Sequence, residues 1–114
     1  MNRKDIEHYR LDLAIVRETA QRIINDFELL GIEIIFSGNE KNAYEELMNQ
    51  LIPAMNTLLA KNKQKLMQVL YRIDISEEKL SKTVLKFPKA QLAEVISHLV
   101  IEREMQKVIT RKIF

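Results

Sequence analysis

Apolar side chains near the start of the chain follow one another at alternating steps of three and four residues. The series consists of Ile6, Tyr9, Leu13, Val16, Ala20, Ile23, Phe27 and Leu30. On an α-helix this spacing places all of them on one narrow stripe, which is buried only where another helix lies along it. We therefore expect a long first helix from about Lys4 to Leu30, ended by Gly31 because glycine readily adopts the left-handed conformation that follows many helices.

The segment after this helix is the only β-like stretch of the chain. Residues 32–36 read Ile-Glu-Ile-Ile-Phe, and the weak alternation at residues 71–75 is the one other candidate strand. A lone strand leaves its backbone groups without partners. We interpret residues 32–36 as a short extended apolar connector. The alternative is a strand that pairs with its copy in a dimer.

A broad apolar stripe at helical spacing then runs from Tyr44 to Ile73, with Asn39 as the candidate N-cap. Two features could interrupt it. Pro53 lacks the amide hydrogen that a helix interior requires, and residues 61–65 form a polar run. We expect one long helix kinked at Pro53 rather than two short helices.

Two more helices are predicted in the last third of the chain. Ser76 is an N-cap signal, and it is followed by two glutamates that suit the positive end of a helix reaching to about Lys86. Pro88 marks a boundary and suits the first turn of a final helix, from about Lys89 to Lys112.

The final helix carries apolar residues on two sides. Leu92, Val95, Ile96, Leu99 and Val100 cluster on one side, whereas Ile101, Met105, Val108 and Ile109 lie mostly on the other. A single core accounts for one of these seams. The second seam predicts either packing on another subunit or a break in the helix near residues 102–104.

Together these elements predict one all-α domain over residues 1–114. It is an up-and-down bundle of about four helices (long, long and kinked, short, long) with the connector after the first helix. The surplus apolar surface favours a small non-enzymatic protein that acts through helix–helix association as a homodimer. The candidate interface consists of Leu11, Ile15, Ile101, Met105, Val108 and Ile109.

Composition adds an expectation about the compartment. The 114 residues include no cysteine and only two glycines and two prolines, which is typical of a compact helical protein and suits a reducing interior. The first residues are charged rather than apolar, and no apolar run approaches the roughly 20 residues of a membrane span. We expect a cytoplasmic protein without a signal peptide or a membrane association.

The two halves of the chain carry opposite charge. Residues 1–60 hold 6 Lys or Arg against 10 Asp or Glu, while residues 61–114 hold 12 against 6. The halves can therefore neutralise each other within one chain. The alternative function is a nucleic-acid-associated accessory protein that uses two basic stripes at helical spacing. This candidate basic face consists of Lys79, Lys82, Lys86, Lys89, Arg103, Lys107 and Arg111.

One of these cations, Arg103, falls on the apolar side of the final helix. A charge at such a position is either paired or carried on an aliphatic stem that lies over the core. The candidate partners are acidic residues of the N-terminal half, namely Asp12, Glu18 and Asp26.

Side chains with catalytic or metal-binding potential are few. The two histidines lie in trios on helix faces, Asp5–His8–Asp12 and Glu94–His98–Glu102. The paired Glu-x-x-His motifs of di-iron bundles are missing, as are a Gly-x-Ser-x-Gly elbow and a glycine-rich phosphate loop. We interpret both trios as solvated polar faces, and expect no metal, no cofactor and no enzymatic activity.

Overall fold

The computed structural model describes residues 12–113, and all regular structure in this range is helical. Its five α-helices are α1 (Leu13–Glu28), α2 (Ala43–Lys61), α3 (Lys63–Ile73), α4 (Glu77–Lys86) and α5 (Leu92–Ile113). A 3₁₀ turn at Glu40–Asn42 precedes α2. The prediction of an all-α bundle is confirmed for the described range, with five helices where about four were expected.

Helix α1 begins later than its apolar series suggested. Asp12 is extended, with φ −83° and ψ 108°, and its carboxylate accepts hydrogen bonds from the backbone N–H groups two and three residues further on. This cap starts the helix at Leu13. The N–H groups of a first helical turn have no carbonyl partner within the helix, and the Asp12 carboxylate accepts from two of them. The predicted unbroken rod from Lys4 is therefore wrong at Asp12. Ile6 and Tyr9 lie outside the described residues.

The end of α1 and the connector agree with the sequence. Gly31 has a φ of 77°, and the N–H of Ile32 donates to the carbonyl of Phe27 at 2.9 Å, which closes the helix. Residues 32–36 form neither a helix nor a strand. The Gln50 side chain takes the place of a second strand, since it accepts from the N–H of Ile35 at 2.9 Å and donates to its carbonyl at 2.7 Å.

The long stripe after the connector forms two helices rather than one kinked helix. Pro53 lies inside α2, and the chain breaks instead at Asn62, with φ −151° and ψ 74°. The Asn62 side chain accepts from the N–H of Lys65 and so caps α3. The proposed N-cap Asn39 precedes the 3₁₀ turn and makes no capping hydrogen bond with its side chain. Ser76, in contrast, caps α4 as predicted by accepting from the N–H of Lys79.

Helix α5 is the central element of the bundle, and this position explains its two apolar sides. It begins at Leu92 rather than Lys89, after a turn that contains Pro88, and continues without a break through residues 102–104. It packs chiefly against α2 and α1, and also against α4 and α3. Because helices of the same chain cover α5 on several sides, both of its apolar seams can be buried without a second subunit.

The candidate interface is corrected accordingly. Five of its six residues are buried within the single chain, with Ile15 and Met105 only 3% and 6% exposed. Ile15 of α1 closes a small cluster with three residues of α5, which we call the α1–α5 cluster: Ile15, Met105, Val108 and Ile109. Ile101 belongs to the main core, and Leu11 lies outside the described residues. The homodimer stays a prediction, but the exposed seam on which it depended is absent from the described surface.

Candidate functional site

A concave site lies where α2, α4 and α5 meet. It forms a cavity of about 190 Å³ that is open to solvent on one side, which we call the socket. The side chains that line it are Tyr44, Met48, Thr83, Phe87, Ala90, Glu94, Val95 and His98. Six of these eight side chains are apolar or carry a single hydroxyl group, and Glu94 and His98 are the two strongly polar ones, so the lining is mainly apolar.

Helical spacing brings the lining residues to one place. Tyr44 and Met48 are one turn apart on α2, and Glu94 and His98 are one turn apart on α5. The turn between α4 and α5 supplies Phe87 at its start. This turn forms at Pro88, where proline disfavours a helical conformation of the preceding residue.

Three polar side chains form a connected series at the wall of the socket, from Tyr44 of α2 to His98 and Glu102 of α5. The Tyr44 hydroxyl lies 2.9 Å from Nδ1 of His98, and Nε2 of His98 lies 3.2 Å from a carboxylate oxygen of Glu102. The Tyr44 and His98 rings meet edge to face, with their planes 72° apart. With neutral histidine, Nε2–H donates to Glu102 while Nδ1 accepts from Tyr44, so both contacts fix the imidazole orientation.

The socket suits binding better than covalent chemistry. An apolar protein cavity of about 150 Å³ accommodates benzene, so the socket has room for one aromatic ring or one branched aliphatic side chain. Ser97, on the same helix, is fully buried and donates its hydroxyl to the Ala93 carbonyl, which removes it as a nucleophile. Within residues 12–113, no three His, Asp or Glu side chains converge as metal ligands.

Lysines of α4 lie beside the socket. Thr83 contributes to the lining, and Lys79 and Lys86 stand four residues before it and three residues after it, on the same face of α4. Lys79 Nζ lies 4.0 Å from Glu102, whereas Lys82 pairs with Glu78 at 2.9 Å. Lys86 and Lys89 are exposed. The positive charge on this side of the socket therefore rests on the exposed Lys86 and Lys89, because Lys79 and Lys82 already contact carboxylates.

The other basic stripe, on α5, consists of side chains that form ion pairs with carboxylates of the same chain. On α5, Lys107 pairs with Glu104 at 3.3 Å, and Arg111 pairs with Glu18 of α1 at 3.6 Å. Lys112 also contacts Glu18, at 3.1 Å. Basic residues of the second half thus meet acidic residues of the first half within one chain, as one interpretation of the charge pattern predicted.

Arg103 pairs with a residue that the sequence did not suggest. Its guanidinium donates to the Asp74 carboxylate at 2.8 Å and to the Asp74 carbonyl at 3.2 Å, instead of reaching Asp12, Glu18 or Asp26. These hydrogen bonds, and then the positive charge of Arg103, lower the pKa of Asp74 below its ordinary value. Asp74 ends α3 in a left-handed conformation, so Arg103 ties α5 to that helix end.

Sequence reasoning identified part of this site. The trio Glu94–His98–Glu102 was interpreted as a solvated face, yet His98 is three-quarters buried and Glu102 more so. Tyr44 was missed, because it is 54 residues away from His98 in the chain and no local pattern links them. Of the other trio, Asp12 caps α1, and Asp5 and His8 lie outside the described residues.

Comparison with family models, with curated proteins and with solved structures finds no match to this chain. In the range that the structure describes, no helix is both long enough and apolar enough to cross a membrane. The function must therefore be argued from the surface and the socket themselves.

Proposed function

We propose that this chain is a small non-enzymatic protein that binds a partner protein, and that the socket receives one apolar side chain from an acidic helix of that partner. The observation that carries the proposal is the socket itself. It is preformed, it is sized for one ring, and its wall is held by the contacts of His98 with Tyr44 and Glu102.

Charge and burial favour this occupant over the alternatives. The lysines beside the socket attract acidic groups, and single apolar anchors seated in pockets dominate the energy of many protein interfaces. A second copy of the chain is the less favoured partner, because the seam expected to mediate self-association is buried inside the protomer. Nucleic acid is less favoured because Arg103, Lys107 and Arg111 already pair with carboxylates. A cytoplasmic location stays a prediction.

Titration of a synthetic acidic peptide into the isotope-labelled protein tests the proposal. The probe is a glutamate-rich helical peptide with one central phenylalanine. Its binding is monitored through the amide chemical shifts of the protein. We expect shifts at Thr83 and Val95, and binding that weakens as salt rises. Burying a phenylalanine ring contributes about 1.5–3 kcal/mol, so a peptide with alanine at that position should bind at least tenfold more weakly.

Two protein variants serve as a matched pair. Ala90→Phe puts a ring into the socket and should weaken peptide binding at least tenfold, whereas Ala60→Phe adds the same ring at an exposed position of α2 and should not. If Ala90→Phe perturbs folding, Lys86→Glu tests the charge instead. Equal binding of the phenylalanine and alanine peptides would contradict the proposal. So would shifts located away from the socket, or tighter binding of a generic oligonucleotide than of the acidic peptide.

A further inference from the structure

Glu104 is a carboxyl group in the interior of the protein. It lies in the second half of α5, is 0% exposed and faces α1. Neither of its oxygens has a hydrogen-bonding partner among the described residues, and the same is true of Nε of Arg22. A buried carboxylate that accepts no hydrogen bond is strongly disfavoured relative to the neutral acid.

Charged groups surround Glu104 without satisfying it. From α1, Arg22 Nε lies 3.7 Å from Oε1 of Glu104, and from α5 itself Lys107 Nζ lies 3.3 Å from the same oxygen. Both cations are partly exposed and reach solvent. The remaining neighbour, Asp26 of α1, is a second carboxyl group of the same charge.

Asp26 differs from Glu104 because it has a hydrogen-bond donor of its own. Arg72 of α3 donates to the Asp26 carboxylate at 3.1 Å. Among the described residues, Glu104 has no such donor. As a carboxylic acid, however, Glu104 can donate its proton to Asp26 and so gain the hydrogen bond that it lacks as a carboxylate. Burial first, and then Asp26, raise the pKa of Glu104 from 4.5 to about 7.

We propose that the docking of α1 on α5 is a proton-dependent latch, closed when Glu104 carries a proton and weakened when Glu104 is ionised. Opening the latch returns Glu104 to solvent and uncovers the α1–α5 cluster. The latch acts near neutral pH, where small changes in acidity alter the protonation of Glu104. This inference is independent of the socket.

The direction of the pH effect follows from proton linkage. The closed state binds the proton more tightly than the open state, so the closed state is most favoured below pH 4.5 and loses this advantage as the pH rises to about 7. Between pH 5 and pH 8 the open population should increase on the order of 50-fold. Above that range no further change is expected from Glu104.

Amide hydrogen exchange of the full chain tests the latch. Protection factors, corrected for the intrinsic pH dependence of exchange, are measured at pH 5 and pH 8. We expect those of α1 to fall on the order of 50-fold in the natural protein while those of α2 and α3 change far less. Glu104→Gln keeps the shape and removes the titration, so its α1 protection should not fall. Glu28→Gln, at an exposed position of α1, should behave like the natural protein.

Three results would overturn the proposal. The first is α1 protection that does not change between the two pH values. The second is an equal fall in Glu104→Gln, which would assign the effect to another group. The third is a uniform fall across α1, α2 and α3, which would mean that the molecule unfolds globally instead of opening at α1. If Glu104→Gln fails to fold, Glu104→Leu supplies the same comparison.

Discussion

Replacing Phe27 by alanine should lower the free energy of unfolding by about 3–5 kcal/mol, the usual cost of removing a buried aromatic ring. Phe27 is fully buried in the main core. Phe27 lies in the last turn of α1, where its backbone carbonyl accepts hydrogen bonds from the N–H groups of Leu30 and Ile32. The alanine variant keeps these bonds, so the expected loss comes from the ring alone. Urea denaturation followed by circular dichroism measures the change.

A neighbouring residue provides the control for this prediction. Leu29 is 68% exposed, and Leu29→Ala should change stability by no more than about 0.5 kcal/mol. Since a change as large as that of Phe27→Ala could unfold a domain of this size, Phe27→Leu is the milder variant, with an expected loss of about 1 kcal/mol. Equal effects at Phe27 and Leu29 would show that the helix is placed differently.

Replacing Glu104 by glutamine should stabilise the protein above neutral pH. In the natural protein the raised pKa means that stability falls between pH 4.5 and about pH 7, because the folded state binds a proton that the unfolded state has already lost. A rise in pKa from 4.5 to about 7 corresponds to roughly 3 kcal/mol. Glu104→Gln should therefore be more stable than the natural protein at pH 8 by up to about this amount, and nearly equal to it at pH 4.5.

Denaturation curves at several pH values, compared with those of Glu28→Gln, measure this difference. The control replaces an exposed carboxylate and should stay within about 0.5 kcal/mol of the natural protein. A Glu104→Gln variant that is destabilised at pH 8 would instead mean that the ion pairs of Glu104 with Arg22 and Lys107 outweigh its burial. This experiment concerns global stability, so it can succeed even if α1 does not open separately.

Local signals in the sequence predicted the element boundaries that depend on local chemistry. Gly31 ends α1 and Ser76 begins α4 because each effect is confined to a few neighbouring residues. Two other helix boundaries, at Asp12 and Asn62, were not predicted. The caps formed by Asp12 and Asn62 override the apolar periodicity that runs through them, and periodicity alone does not show where a cap will interrupt it.

Contacts between distant segments could not be predicted in this way. A heptad series shows that a stripe is buried, but it does not show whether the covering helix belongs to the same chain. This ambiguity produced the expected interface at Met105 and Val108, which α1 covers instead. The burial of Glu104 and the contact of Tyr44 with His98 also arise only when the helices pack, so neither carries a local signal.

Both the fold of this chain and the proposed latch require α1 to cover the second seam of α5 within one chain, and an isotope-filtered NOE experiment tests this most directly. Labelled and unlabelled protein are unfolded together, refolded as a mixture and examined for contacts between Ile15 and the α5 residues Val108 and Ile109. We expect these NOEs in a uniformly labelled sample and none between labelled and unlabelled chains. Cross-peaks between the two chains would contradict this expectation, because they would show that a second copy covers the seam.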